Sequence, residues 1–239
     1  MIELFFFPSP NGIKVAIMLE ECGLDYTISP VDITKGEQFR QDFINISPNN
    51  KIPAIIDHAG TDGPVSLFES GAILLYLAQK SDSFFPSGGS NYFRSLQWLF
   101  WQVGHLGPMA GQAHYFREFC EVKDSHGIER FTKEMNRLYA VLDMQLQGRD
   151  FITGEYSIVD MACWPWIFHY QWQGQKLEDF PALKGWFERL AARPAVIRAK
   201  QLGLAEKVDR ESYQTVLHGQ TAASVKELGR KMDSNNGDK

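Results

Sequence analysis

The chain has 239 residues, of which 44% are hydrophobic and 13% are aromatic, enough apolar material for a well-buried core or for two modest domains. Its net charge of −5 at pH 7 excludes the strongly basic surface by which many proteins bind nucleic acid or anionic membranes. No stretch approaches the run of about 20 apolar residues that a membrane span needs.

The first part of the chain alternates strand and helix signals. Strands are indicated by short runs of β-branched and aromatic residues, and helices by apolar residues at helical spacing. In chain order, the predicted elements are a strand at 2–7, a helix that Gly23 closes, a strand at 26–31, a short helix at 38–44, strands at 54–57 and 65–68, and a helix that contains 72–77. This order predicts a small α/β unit whose first two strands are parallel.

Strand signals vanish beyond the linker-like stretch SDSFFPSGGSN. Helical patterns follow at 93–119, 127–146, 158–172, 182–191 and 195–202. The sequence therefore predicts an α/β domain over 1–81, a linker over 82–91, an all-α domain over 92–204 and a polar tail over 205–239. One short helix is expected in that tail, around 225–232.

Two local signals refine the helix that starts at residue 158. Ser157 and Asp160 form a variant of the capping box, with Asp in place of the usual Glu or Gln. Pro165 lies inside the same pattern and is expected to kink the helix.

The stretch SPNNKIPAI places Pro53 directly before the third predicted strand. Proline cannot donate to a sheet ladder, so it belongs at a strand's first residue, at an edge or in a turn. X-Pro bonds also have ready access to the cis form. The pattern alone is compatible with an ordinary loop that enters a strand or with a cis Ile52-Pro53 bond.

Together these features resemble the glutathione transferase family over about residues 1–203. The resemblance is carried by SPNGIKVAIMLEE, SPNNKIPAI, LFESGAILLYLA and the capping box at Ser157. The stretch LQWLFWQVGHLGPMAGQ is similar to one in the nu class, whose members reduce disulfide bonds with glutathione. The resemblance implies a thioredoxin-like α/β domain with a cis Ile52-Pro53 bond, followed by an all-α domain, in a homodimer.

Glutathione presents two carboxylates, an ammonium and a thiol, so its site needs an acidic group and several donors for anions. Glu69 and Ser70 stand where a predicted strand ends and a helix begins. The N–H groups of a helix N-terminus bind anions, the Ser70 hydroxyl adds a donor, and Glu69 offers a carboxylate to the ammonium. The alternative is plain helix capping by serine.

Four further residues are candidates for binding glutathione. The backbone of Ile52, before Pro53, is expected to pair with the cysteinyl part of glutathione as an added strand would. Lys51 and Gln38 are candidates for the glycyl carboxylate. Arg130 matches a nu-class position that approaches glutathione from the helical domain.

Ser9 and Asn11 are the predicted catalytic residues, because they lie in the turn before the first helix. A free thiol is only a few per cent thiolate at neutral pH, so activation means stabilising the anion. The Ser9 hydroxyl and the Asn11 amide are expected to donate to the glutathione sulfur, together with the helix dipole. Nu-class relatives commonly have Thr where this chain has Ser9, and the hydroxyl is retained.

The aromatic stretch near residue 100 raises the question of the second substrate. Trp101 and Gln102 are expected to face a cleft between the domains, where an acceptor or a second glutathione would lie. Trp98, Leu99 and Phe100 are assigned to the core, the usual place for aromatic residues at helical spacing.

The cysteines Cys22, Cys120 and Cys163 are odd in number, far apart and without a CxxC motif. This is typical of a reducing compartment and favours neither a disulfide framework nor a zinc site. The first residues lack the basic region of a signal peptide, so a cytoplasmic protein is expected. All three cysteines are interpreted as packing residues.

The sequence therefore predicts a glutathione-dependent disulfide-bond oxidoreductase that works through an activated glutathione thiolate. The expected partners are glutathione as co-substrate and a small disulfide or electrophile, without metal, nucleic acid or membrane. Two alternatives stay open: conjugation of glutathione to electrophiles, and a non-catalytic glutathione-binding regulatory protein on the same fold. The fungal nitrogen regulators of this group carry an Asn-rich N-terminal extension, whereas the first strand here is expected at Ile2, which weighs against that role.

Overall fold

The fold is that of a computed structural model, which describes residues 1–204. The helix predicted around 225–232, with the rest of the polar tail, lies outside the described residues. None of the helices in the described part is both long and apolar enough to cross a membrane.

Four strands form one mixed sheet in the order β2-β1-β3-β4. They are β1 (Ile2–Phe6), β2 (Tyr26–Pro30), β3 (Ala54–Asp57) and β4 (Val65–Phe68). β1 and β2 are parallel, as predicted, with Ile2 opposite Tyr26, and β3 runs antiparallel to both β1 and β4. The order and directions are those of a thioredoxin-like sheet, and the Ile52-Pro53 bond that leads into β3 is cis, as the resemblance implied.

Three helices accompany the sheet: α1 (Pro10–Cys22), α2 (Gln41–Ile46) and α3 (Ser70–Ser81). α1 ends as predicted, because Gly23 takes the left-handed conformation (φ 60°) that closes a helix and that glycine adopts without strain. The short helix predicted at 38–44 is instead a 3₁₀ turn at Glu37–Phe39 followed by α2.

The rest of the described chain is helical. Its helices are α4 (Gly89–Trp101), α5 (Gly107–His114), α6 (Ser125–Leu146), α7 (Ile158–Ile167), α8 (Pro181–Ala191) and α9 (Pro194–Leu204). π-helical turns at Gln102–Leu106 and Tyr115–Phe119 continue α4 and α5, so the predicted helix at 93–119 is one path with two π segments. α4 already begins inside the segment predicted as linker.

The helix predicted at 158–172 is shorter than expected. α7 ends at Ile167, two residues beyond Pro165, and a 3₁₀ turn at Tyr170–Gln173 follows. Its start is as predicted, because Ser157 and Asp160 form the reciprocal capping box.

The assignment of Phe100 to the core is wrong. Leu99 is 3% exposed, but Phe100 is 61% exposed. Consecutive residues of a helix point about 100° apart, so a helix that packs on one side buries one of the two and exposes the other. Trp98 is half-buried and meets the ring of Trp101 edge-on, with 5.1 Å between centroids.

Helix α1 joins the two parts of the molecule. It packs against α3 in its own domain and against α7 and α9 in the helical part. At its C-terminal end Glu21 forms a bidentate ion pair with Arg193, the residue before α9, with N–O distances of 2.7 and 2.9 Å, and accepts a hydrogen bond from Tyr156. α1 thereby ties the sheet domain to the helical domain.

Candidate active site

Two neighbouring cavities share part of their lining, one within the sheet domain and one between the sheet domain and the helical domain. The first, here called the edge cavity, has a volume of about 270 Å³ and lies beside the cis bond. Its lining residues are Asn11, Asn49, Lys51, Ile52, Pro53, Phe68, Glu69 and Ser70. The edge cavity thus brings together six of the residues that the sequence predicted for the site.

The second cavity, here called the interdomain cleft, has a volume of about 580 Å³. The sheet domain contributes Asn11, Lys14, Glu69 and Ser70 to it. The helical domain contributes Gln102, Val103, Gly107, Pro108, Gly111, Gln112, Tyr115 and Trp166. Asn11, Glu69 and Ser70 line both cavities, so they mark the place where one ligand could meet another.

Ser9 caps the N-terminus of α1. Its hydroxyl oxygen accepts a hydrogen bond from the Gly12 N–H at 3.2 Å, and its own proton remains available for another acceptor. A Cβ at Gly12 would lie 2.4 Å from the Phe7 carbonyl oxygen, so only glycine lets this turn close. Ser9 lines neither cavity; it shapes the turn from which Asn11 projects.

The orientation of the Asn11 amide is set by the helical domain. Its Oδ1 accepts a hydrogen bond from the Trp166 indole N–H at 3.1 Å. Because an indole nitrogen can only donate, the oxygen of the amide must face Trp166, and the NH₂ group is left to face a ligand. Asn11 therefore presents donors where the two cavities meet, which is what a thiolate requires.

Trp166 is itself held by a buried polar network. Gln173 donates to the Trp166 carbonyl oxygen at 2.7 Å and accepts a hydrogen bond from the Tyr139 hydroxyl at 2.8 Å. The ring of His114 stacks on Trp166 with 5.9 Å between centroids. Burial lowers the pKa of His114 to about 3, so this ring is neutral at physiological pH.

Glu69 and Ser70 occupy the junction of β4 and α3. The backbone of Glu69 has φ 70° and ψ 110°, a conformation that residues other than glycine rarely adopt. Residues in such conformations are found most often at ligand-binding sites. Its side chain is exposed, whereas Ser70, the first residue of α3, is buried. The pair places a carboxylate and a hydroxyl beside the free N–H groups of a helix N-terminus.

Lys14 is a site residue that the sequence reasoning missed. Its side chain is 2% exposed, and its Nζ donates to Gln102 Oε1 at 2.6 Å and to Ser70 Oγ at 3.3 Å. Burial lowers the pKa of Lys14 to about 7. The signal was present: a lysine stands between Ile13 and Val15 in a run whose other members pack in the core.

Four predicted residues do not line either cavity: Ser9, Gln38, Trp101 and Arg130. Gln38 is buried, and its Oε1 has no hydrogen-bond partner among the described residues. Trp101 packs against Trp98, although its neighbour Gln102 lines the cleft as expected. Arg130 lines a separate groove beside Met109.

The three cysteines lie outside both cavities. Cys163 is fully buried, and its burial raises the pKa of the thiol. Cys22 donates to Ser81 Oγ at 3.3 Å, and burial raises its pKa as well. Within residues 1–204 no cluster of three or more His, Cys, Asp or Glu side chains could hold a metal ion.

Comparison with known proteins fits this architecture. The N-terminal domain model of glutathione S-transferases matches residues 2–79, and the C-terminal domain model matches residues 111–194. The chain is 51% identical over 202 residues to the disulfide-bond oxidoreductase YfcG of Escherichia coli (strain K12), covering 83% of this chain and 94% of that protein.

Two solved structures are similar throughout the described fold. A glutathione transferase family member from Pseudomonas fluorescens pf-5, with two glutathione bound, has a TM-score of 0.80 and 43% identity, covering 83% of this chain and 92% of that one. A glutathione transferase from Pseudomonas putida, with one glutathione disulfide bound per subunit, has a TM-score of 0.81 and 39% identity, covering 84% and 91%. The chain belongs to the glutathione S-transferase family.

Proposed function

We propose that this protein is a glutathione-dependent disulfide-bond oxidoreductase, the activity that YfcG carries in its name. The observation that carries the proposal is the joining of the edge cavity and the interdomain cleft at Asn11, Glu69 and Ser70. The edge cavity suits one glutathione, and the cleft has the volume typical of a small-molecule site. The two bound glutathione molecules of the Pseudomonas fluorescens relative support the same reading.

Glutathione binds in the edge cavity through groups of opposite charge. Glu69 receives the γ-glutamyl ammonium, and Ser70 with the N-terminus of α3 receives the neighbouring carboxylate. The backbone of Ile52 pairs with the cysteinyl residue. Lys51, which lines the same cavity, is the cation for the glycyl carboxylate.

The cysteinyl sulfur then lies at the N-terminus of α1. The Asn11 NH₂ group, the Ser9 hydroxyl and the helix dipole stabilise it as a thiolate. Lowering a thiol pKa by about two units takes about 2.7 kcal/mol of preferential stabilisation of the anion. One or two charge-assisted hydrogen bonds of about 1.5–3 kcal/mol each are sufficient.

The reaction is a pair of thiol–disulfide exchanges. The glutathione thiolate attacks one sulfur of a disulfide RSSR in the cleft, so that a GS–SR bond forms and RS⁻ leaves and takes up a proton. A second glutathione thiolate attacks the glutathione sulfur of the mixed disulfide and releases the second RS⁻. Two glutathione molecules are oxidised to one glutathione disulfide, and RSSR is reduced to two thiols.

A cytoplasmic homodimer is part of this proposal. Phe93 and Phe100 lie seven residues apart on one face of α4 and are 68% and 61% exposed. Large apolar side chains in a row on one helix face are typical of an interaction surface. We infer that this face of α4 is covered by a second copy of the chain.

The decisive experiment compares two reactions of the purified protein with glutathione: reduction of hydroxyethyl disulfide and conjugation to chlorodinitrobenzene. We expect the disulfide to be turned over faster, because the polar floor of the cleft offers donors to a sulfur anion. Conjugation uses the same thiolate, and the family match makes it the second candidate function. Conjugation without disulfide turnover would contradict the proposal, and glutathione binding without either reaction would favour a regulatory role.

A further inference from the structure

Lys14 is a buried cation that the proposed reaction does not yet use. It projects from α1 into the interdomain cleft, where its Nζ contacts one acceptor from each domain, Ser70 and Gln102. In the described residues it forms no ion pair with a carboxylate. A buried ammonium without an ion-paired carboxylate is costly, so an anionic ligand in the adjoining cavity would offset that cost.

A second observation points into the same cleft. Gln102 is fully buried, and its Nε2 has no hydrogen-bond partner in the part of the chain that the structure describes. A Cβ at Gly107 would lie 3.0 Å from that nitrogen and 3.3 Å from Trp166 Nε1. The glycine keeps this corner open, so the unused NH₂ group of Gln102 has room for a ligand acceptor.

We propose that Lys14 is a positioning residue that fixes the direction in which the Ser70 hydroxyl and the Gln102 amide donate. An ammonium has three donors and no acceptor. Since Ser70 Oγ and Gln102 Oε1 both accept from it, the Ser70 proton and the Gln102 NH₂ group are turned toward the ligands. This inference rests on the proposed function, and it gives both ligands donors for their anionic groups.

Two titratable neighbours affect the protonation of Lys14. Glu69 at the start of α3 and Cys163 on α7 are the titratable groups that face it, and the buried thiol of Cys163 stays neutral. A neutral amine can accept a hydrogen bond, which would let the Ser70 proton turn toward Nζ and away from the ligand. Deprotonation should therefore weaken ligand binding, and in the free protein it occurs near neutral pH because burial lowers the Lys14 pKa to about 7.

The test is calorimetric titration of S-methylglutathione into the wild-type protein and the Lys14→Met variant, at pH values from about 6 to 8.5. This probe has no thiol, so its binding does not report thiol ionisation. We expect the wild-type affinity to fall as pH rises through the titration of Lys14. The Lys14→Met variant should bind about tenfold more weakly at the acidic end, with an affinity that changes little with pH.

Two variants keep the test interpretable. Lys184→Met removes an exposed lysine that pairs with Glu178, and it should retain the wild-type pH profile. If Lys14→Met fails to fold, Lys14→Gln makes the same comparison, since its amide can donate but carries no charge. A folded Lys14 variant with the wild-type affinity and pH profile overturns the inference alone. A wild-type protein that does not bind the probe overturns the proposed function and the inference with it.

Discussion

At Asn11 a single hydrogen bond decides which end of an amide faces the ligands. Trp166→Phe keeps the aromatic ring but removes the indole N–H that holds Asn11 Oδ1. Without that donor the amide can rotate and turn its oxygen toward the glutathione sulfur. We expect disulfide reduction at neutral pH to fall by up to about tenfold, with partial recovery at high pH as thiolate forms without help.

The pH–rate profile is the measurement for this variant. Trp172→Phe is the matched control, because Trp172 is 41% exposed and lines neither cavity. A Trp166→Phe profile identical to the wild type would show that the amide keeps its orientation unaided, and the role given to Trp166 would be wrong.

Residues close together in sequence were the easier part of the site to predict. Glu69 and Ser70 follow from a strand that ends and a helix that begins, and Lys51 and Ile52 from a turn before a proline. Lys14 was missed because its partners lie 56 and 88 residues away. Trp166 was missed for a similar reason, since its contact with Asn11 spans 155 residues.

The Asp160 carboxylate in the first turn of α7 caps the helix and also binds groups outside it. Asp160 is fully buried and accepts hydrogen bonds from the backbone N–H groups of Ser157 and Ile152, both at 3.0 Å, and from the Trp186 indole at 2.8 Å. In Asp160→Asn the new NH₂ group must face at least one of these donors. We expect a loss of about 2–4 kcal/mol in the free energy of unfolding.

Urea denaturation followed by far-UV circular dichroism measures this loss. Asp150→Asn changes an exposed carboxylate that pairs with Arg189, and it should stay within about 0.5 kcal/mol of the wild type. Equal stability of the Asp160→Asn and wild-type proteins would mean that an amide stabilises the fold as well as the Asp160 carboxylate does, which contradicts the prediction.

Strands could be predicted well, and the bounds and buried faces of some helices less so. The ends of β3 and β4 match the predicted ranges, because short apolar runs bounded by turn residues are typical of strands. α7 stops two residues after Pro165, whose missing N–H removes the helical hydrogen bond to the Met161 carbonyl. Phe100 was misplaced because three consecutive residues cannot all face the core of a helix that packs on one side.

On the scale of the whole molecule, the three cysteines lie outside the candidate active site. We expect a variant with Cys22, Cys120 and Cys163 all replaced by Ser or Ala to keep most of its disulfide reductase activity. The reason is that none of the three lines either cavity or lies in the turn before α1. Only the sulfur of bound glutathione would lie at the N-terminus of α1, where an anion is favoured.

Activity with hydroxyethyl disulfide, measured on protein whose folding is confirmed by circular dichroism, checks this expectation. Ser9→Ala and Asn11→Ala serve as the contrasting variants, and each should lower turnover at neutral pH. A folded cysteine-free protein without activity, beside fully active Ser9→Ala and Asn11→Ala variants, would assign the mechanism to a protein thiol.

The contacts that α1 makes with the helical domain also bear on how parts of such proteins can be exchanged. Asn11 depends on Trp166, Lys14 on Gln102, and Glu21 on Arg193. A helical domain grafted from another member of the family would have to supply all three partners. A grafted domain that supplied only the partner of Glu21 could pack correctly against α1. The Asn11 amide and the Lys14 ammonium would then lack the contacts that orient them. We therefore expect chimaeras to fold more often than they work.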